Sequence, residues 1–400
     1  MNEYIKLLKL NYIVRRLSSV QLIVYFGAWF SNVAIYTLLL NMKVSAEVIA
    51  FVAMLHFLSG ILQAPFSGAI IDSFKPKKLL LVLIFAEMFA TFLFIFVNDV
   101  SYLNLLYTLV FVKMAAASFY FTTEMSLLPK LLSDEELKIA NELHSIIWSL
   151  SYTLGMAISG FVVFYLGIKA AFLLDVSMFA LAFFLLYNLK IDVAEIEVRQ
   201  NLFKMMKDTF VYLKKSKKAF HLMILHSFVG FSAYDALIAL MVDRYYASII
   251  AVSLAIGFLN ASRAIGLVIG PVILGKWVNN KRLFYIFIVQ GLALYIWAVM
   301  MQNFYLSLMA SIFVGFFTTI LWSYTYTLLQ KNIDPIYYGR VVAYNDMLFL
   351  SAASFLSYMI GFLAQRDYSL EFITVIIGSI FIIGGIYFVW IMKKYNLGEN

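Results

Sequence analysis

A chain of 400 residues that is 64% hydrophobic and only 13% charged lies outside the range of soluble domains, which average roughly 45–50% apolar and about 25% charged residues. It has no cysteine, which excludes a disulfide framework, a thiolate metal site and a cysteine nucleophile. The formal charge of +8 is spread over short segments between long apolar runs, a pattern of membrane topology that argues against a nucleic-acid partner.

A membrane-crossing helix needs about 20 mostly apolar residues. Its backbone groups must bond internally, because lipid offers them no partner. On that basis twelve spans are expected, at 17–40, 45–71, 79–97, 102–127, 140–166, 169–189, 219–242, 248–274, 282–301, 303–328, 340–364 and 370–392. The first apolar stretch follows Arg15 and Arg16, is too long for the core of a signal peptide and lacks a small-x-small cleavage site, so it is expected to stay in the protein. Lysine and arginine then orient the chain. Lys6, Lys9, Arg15, Arg16, Lys75, Lys77, Lys78, Lys130 and Lys138 fall on one side, and Lys43, Lys169, Arg244 and Arg366 on the other. By the positive-inside rule both termini are cytoplasmic.

The one long connection, 190–218, is polar and basic. Leu202, Phe203, Met206, Phe210 and Leu213 recur in it at helical spacing, which predicts an amphipathic helix at the inner membrane surface. The layout is therefore a six-helix bundle over 1–189, a cytoplasmic linker over 190–218 and a second six-helix bundle over 219–400, an internal repeat of the kind many transporters have. The fold class is an all-α membrane protein of twelve transmembrane helices in two pseudo-symmetric bundles.

Between spans two and three the chain places Gly68, Asp72, Lys75, Pro76, Lys77 and Lys78 in one loop. Glycine lets helices approach closely, and the acid stands at a helix end beside a basic cluster. The second half has a degraded copy, with Gly270, Gly275, Lys281 and Arg282, and Asn279 where the acid would be. This pair of loops resembles the signature of the major facilitator superfamily, although Pro76 stands where that family often has glycine. Ser133 to Asn141, Gly155 to Gly160 (with Met156 in place of the antiporter proline), Asp175, and Asp334 to Arg340 are similar to the branch of macrolide-efflux and enterobactin-exporter-type proteins. The resemblance implies a gating role for Gly68, Asp72, Lys77, Lys78, Gly339 and Arg340, a monomer, the bacterial inner membrane, and a central cavity lined by spans one, four, seven and ten.

Ionisable side chains inside a span cost a few kcal/mol by insertion scales, so each needs a partner, a wet cavity or a function. The candidates are Glu87, Lys113, Glu124, Asp175, Asp235, Arg263 and Asp346. Lys113 and Asp235 lie on cavity-lining spans and carry the proton-coupling expectation. The drug-efflux branches usually place arginine at the position of Lys113. Glu87 is expected to pair with Lys113 or take protons itself, and Arg263 to bind an anionic group or neutralise Asp235. Glu124 and Asp346 are expected near the cytoplasmic ends, within reach of water, and Asp175 as an anchor near the outer face. His226 reads as a hydrogen-bonded packing residue. Phe26, Trp29, Phe30 and Tyr36 on span one, Tyr234 on span seven, and Trp322, Tyr324 and Tyr326 on span ten offer aromatic surface for an amphipathic substrate.

No phosphate loop occurs, and the four histidines (His56, His144, His221 and His226) have no metal-ligand spacing. No cofactor or metal is called for, and the chain does not read as an enzyme. The reading is a secondary transporter that exports a small amphipathic organic molecule, drug-like or siderophore-like, on the proton gradient by alternating access. The partners are that substrate, protons and membrane lipid. The alternatives are an importer or uniporter of a nutrient or metallophore, or a lysophospholipid flippase. An intramembrane enzyme or receptor is the rival from another class, and the two-half repeat argues against it.

Overall fold

The structure is a computed structural model describing residues 2–191, 202–334 and 337–397. Among these, twelve helices are long and apolar enough to cross a membrane, and the described secondary structure is helical throughout. After a short leading helix α1 (Asn2–Leu10), the first six spans are α2 (Tyr12–Asn41), α3 (Ala46–Ser73), α4 (Pro76–Leu93), α5 (Leu103–Leu131), α6 (Asp134–Leu166) and α7 (Ile168–Tyr187). Helix α8 (Leu202–Lys215) lies in the connection. The remaining spans are α9 (Lys217–Ser227) with α10 (Asp235–Met241), then α11 (Val252–Leu274), α12 (Leu283–Met300), α13 (Phe304–Gln330), α14 (Tyr338–Ala364) and α15 (Leu370–Lys394).

The helix starts follow local chemistry. Asn11 opens α2 by accepting from the backbone N–H of Ile13 and Val14, and Ser133 and Glu136 form a reciprocal capping box on α6. Asn303 and Ser369 cap α13 and α15 in the same way, and Pro76 takes the first turn of α4, where its missing N–H costs nothing. Between α6 and α7 a single residue makes the turn: Gly167 adopts φ 87°, a backbone conformation closed to most side chains.

The chain forms two compact units. The first comprises Met1–Lys43 and Phe66–Arg199, and the second comprises Val44–Pro65 and Gln200–Asn400. Helix α3 is thus divided at Pro65, inside the helix. In the first unit α2 packs on α6 and α7, and α4 packs on α5 and α7. In the second, α11 packs on α13, and α12 on α13 and α15.

The structure adds detail to two expectations. The seventh span is not one helix over 219–242. After α9 it tightens into a 3₁₀ turn (Phe228–Ser232), passes through Ala233 and Tyr234, resumes as α10 and widens into a π turn (Val242–Tyr246). The cause is tertiary: a Cβ on Gly230 would strike the Phe349 carbonyl of α14, so the two backbones meet there at a distance only glycine permits. The amphipathic linker helix is present as α8, but residues 192–201 of the 190–218 linker lie outside the described residues, and α9 already begins at Lys217.

Candidate functional site

Three pairs of residues at helical i, i+4 spacing converge on Lys113 of α5. They are Gly27 and Ser31 on α2, Glu87 and Thr91 on α4, and Asp175 and Phe179 on α7. Residues so spaced share one helix face. The Lys113 ammonium donates to Asp175 Oδ2 at 2.9 Å and to Thr91 Oγ1 at 2.9 Å, and lies 5.0 Å from the centroid of the Phe179 ring. Ser31 Oγ donates to the same Asp175 oxygen. The other oxygen, Oδ1, faces Gly27, where a Cβ would collide with it, and has no hydrogen-bond partner among the described residues.

Glu87 sits within electrostatic reach of both Lys113 and Asp175, yet neither of its carboxyl oxygens has a hydrogen-bond partner among the described residues. The acid that meets Lys113 is therefore Asp175. Of the two roles expected of Glu87, the ion pair with Lys113 is not formed among the described residues, and Asp175, which forms it, is fully buried. Burial of an ion pair in apolar surroundings is sustained only when further hydrogen bonds complete it, which is what Ser31 and Thr91 do here.

Further along α5 a second buried cluster appears, of which the sequence reading singles out only Glu124 as a candidate. Glu124 is 2% exposed, a correction to its expected place within reach of water. Tyr120, 0% exposed, stands edge-on to Tyr25 at 6.4 Å, and Tyr25 stands edge-on to His144 at 5.7 Å. Gln21 bonds His144 Nδ1. A glutamate one turn beyond a tyrosine on α5 (Tyr120 and Glu124) is the sequence feature that could have located it. Asp346, by contrast, is exposed on α14.

In the second unit, Asp235 is half-buried at the start of α10. Arg263 of α11 donates to the Ser232 carbonyl at 3.1 Å and lies over the Tyr234 ring at 5.1 Å. It thus serves a carbonyl released by the break in span seven. Tyr234 is fully buried rather than presented on an open wall: its ring meets Trp297 edge-on at 5.6 Å, and its hydroxyl accepts from Gln290 at 3.5 Å. Gln290 also donates to Thr318 at 3.2 Å. His226 is a buried packing residue, its Nδ1 2.8 Å from Thr325 Oγ1.

The remaining aromatic candidates divide by exposure. Tyr36 is buried. Trp29 is half-buried, edge-on to Tyr152 at 4.6 Å and to Trp148 at 5.8 Å. Trp322, 42% exposed, stacks on Tyr326 with centroids 5.1 Å apart, and His226 stands against both rings. Of the gating candidates, Lys77 donates to the Tyr187 carbonyl at 2.7 Å, Lys78 is exposed, and Arg340 lies over the Tyr337 ring at 5.9 Å. The placements of Gly68, Asp72 and Gly339 beyond their helical backbone lie outside the described residues.

Twelve apolar spans, with an ion pair buried among the helices of the first unit, define a multi-pass membrane protein. The chain belongs to the Major Facilitator Superfamily, whose sequence profile matches residues 17–357. No curated protein matches it. Among solved structures it is similar to the nucleoside transporter NupG, at TM-score 0.73 and 12% identity over 98% of this chain and 100% of that one. A bacterial homologue of the iron transporter ferroportin, in an inward-facing state, gives TM-score 0.71 and 16% identity over 96% of this chain and 99% of that one. A bacterial homologue of the human lysosomal transporter Spinster gives 0.74 and 11% over 96% and 97%. At these identities the likeness shows the fold. The protein is a transporter of that superfamily rather than an enzyme.

Proposed function

We propose that the chain is a proton-coupled secondary transporter of the efflux branch, in which the Lys113–Asp175–Glu87 cluster couples proton movement to export of a small amphipathic organic molecule. The observation that carries this reading is the pairing of one buried ammonium with Asp175 while a second buried carboxyl, Glu87, stands within electrostatic reach with no hydrogen-bond partner among the described residues. Ionisable groups inside spans are costly, pair with one another and mark ion and proton pathways, which makes this cluster a functional site by default. A proton arriving on Asp175 cancels the attraction that holds Lys113 and leaves Glu87 as the competing carboxylate. The ammonium then has two alternative partners on α7 and α4, and a change of partner is a discrete event that a conformational cycle can use.

Energy from a gradient is consistent with a sequence that holds no phosphate loop. In the second unit the half-exposed Trp322–Tyr326 stack supplies flat apolar surface suited to an amphipathic substrate. The lysine and arginine bias favours cytoplasmic termini in a bacterial inner membrane.

The test is purified protein in liposomes with a pH-reporting dye trapped inside, challenged with dyes, macrolides, siderophores and bile-type amphiphiles. The expected result is a compound that drives proton flux with the parent protein and drives none with the Lys113→Met/Asp175→Leu pair. Substrate movement without any pH change, or proton flux intact in that double variant, rejects the coupling assignment. Accumulation driven by an alkaline lumen, with proton and compound moving in the same direction, rejects proton antiport and with it this export mechanism.

A further inference from the structure

Helix α8 has two unlike faces. Thr209 and Leu213 are buried in the second unit, whereas Lys207, Phe210, Val211, Lys214 and Lys215 are exposed, Phe210 at 67%. Lys217 and Phe220 extend the exposed strip into α9. The helix contains one acid, Asp208. Large apolar side chains set among lysines make poor water-facing surface and good interfacial surface: the rings reach the acyl boundary while the ammonium groups stay at headgroup level.

The packed side of the same helix holds something else. The Tyr212 ring stacks on Tyr337 with centroids 4.3 Å apart and planes 11° from parallel. Its hydroxyl accepts from the Asp334 backbone N–H at 3.0 Å. Arg340 lies over the far partner of that stack, Tyr337. One helix therefore offers a basic, apolar strip outward and clasps the α13–α14 connection inward.

We propose that the strip formed by Lys207, Phe210, Val211, Lys214, Lys215 and Lys217 docks on anionic phospholipid headgroups, and that docking holds the Tyr212 clasp on the α13–α14 connection. Membrane charge would then regulate the transporter through that connection. The proposal rests on the topology reading that puts α8 on the cytoplasmic side, where the leaflet is anionic and attracts lysines within a Debye length. Lipid is favoured over a soluble acidic partner because Phe210, Val211 and Phe220 would have no apolar phase to enter on a purely ionic partner.

The chain has no cysteine, so a single label can be placed at will. An environment-sensitive fluorophore on a Val211→Cys variant is read in nanodiscs of phosphatidylcholine alone and of phosphatidylcholine with phosphatidylglycerol, at low and high salt. The expected result is blue-shifted emission and protection from an aqueous quencher with phosphatidylglycerol only. High salt should reverse both, and Lys207→Gln/Lys214→Gln/Lys215→Gln/Lys217→Gln should abolish both. Identical emission in the two lipids overturns the dock, and so does an anionic effect that survives loss of the four lysines. A spin label on Lys331→Cys, an exposed position at the start of the connection, reads the clasp. Phosphatidylglycerol should immobilise it in the parent and leave it mobile in Tyr212→Leu. Immobilisation that ignores Tyr212, or ignores lipid, overturns the clasp. Nanodiscs present the same lipid to both faces, so failure here condemns the dock and leaves topology untouched. Topology is settled separately by aqueous labelling of the Lys331→Cys variant in right-side-out and inverted vesicles.

Discussion

Lys113 and Asp175 meet at 2.9 Å with side chains 3% and 0% exposed, joining α5 to α7 across 62 residues of chain. Removing one member of such a pair leaves the other charged and buried, at a cost of about 3–5 kcal/mol, whereas replacing both by apolar residues of similar volume is often neutral or stabilising. Lys113→Met and Asp175→Asn are therefore each expected to lower the apparent unfolding midpoint in detergent sharply. Lys113→Met/Asp175→Leu should recover most of it. A double-mutant cycle reads the coupling directly. If the recovered double variant still moves protons with substrate, the pair is structural only.

Gly27 stands where any Cβ would collide with Asp175 Oδ1. The smallest insertion, Gly27→Ala, must push the carboxylate away from Lys113 and Ser31 or separate α2 from α7. Overpacking of this kind costs about 1–3 kcal/mol. The expected result is a lower unfolding midpoint for Gly27→Ala in the parent and a much smaller loss in an Asp175→Ala background, where the colliding atom is gone. Equal losses in both backgrounds show that the glycine serves helix packing alone and does not position the acid.

The spans were legible because length and apolarity decide them before any tertiary contact does. Ser133 and Glu136, three apart at the head of α6, likewise announce their capping box locally. The partner of Lys113 was not legible in that way. Glu87, Asp175 and Asp235 are equivalent as letters, and only the packing of α5 on α4 and of α4 on α7 ranks them. A weaker signal was present in the repeated four-residue spacing of Gly27–Ser31, Glu87–Thr91 and Asp175–Phe179, each pair putting a polar or small residue a turn from its neighbour. The break in span seven was hidden for a different reason. The run Phe228 to Tyr234 is apolar and free of proline, and its irregularity comes from the approach of α14 to Gly230.

Gly266 and Gly270, the GxxxG pair of α11, face the backbone of α13: a Cβ on Gly266 would strike the Ile312 carbonyl, and one on Gly270 the Phe316 carbonyl. Gly315 returns the contact against the Arg263 carbonyl. Backbone atoms cannot rotate aside as a side chain can, so the two helices must move apart. Gly270→Ala and Gly315→Ala are each expected to cost about 1–3 kcal/mol by overpacking, and Gly270→Leu to prevent stable folding. Monodispersity on size exclusion and the apparent unfolding midpoint measure the effect. Unchanged behaviour of Gly270→Leu would mean that α11 and α13 are not packed through these glycines.

Arg263 ties α11 to the interrupted seventh span by donating to the Ser232 carbonyl at 3.1 Å while its guanidinium plane covers Tyr234 at 5.1 Å. In a bilayer interior a released carbonyl has no water to turn to, so irregular backbone persists only where protein supplies the missing donor. Losing the donor while the carbonyl stays buried costs about 1–3 kcal/mol. Arg263→Met keeps much of the apolar stem and removes every donor, and Arg263→Lys keeps a donor without the planar fork that stacks on the ring. The expected order of stability is parent, Arg263→Lys, Arg263→Met. Hydrogen exchange should localise the loss to residues 228–241, with faster exchange there and little change in α12 and α15. Uniform acceleration across the second unit would instead show that Arg263 supports the whole bundle, and that the break in span seven is held by Gly230 and α14 alone.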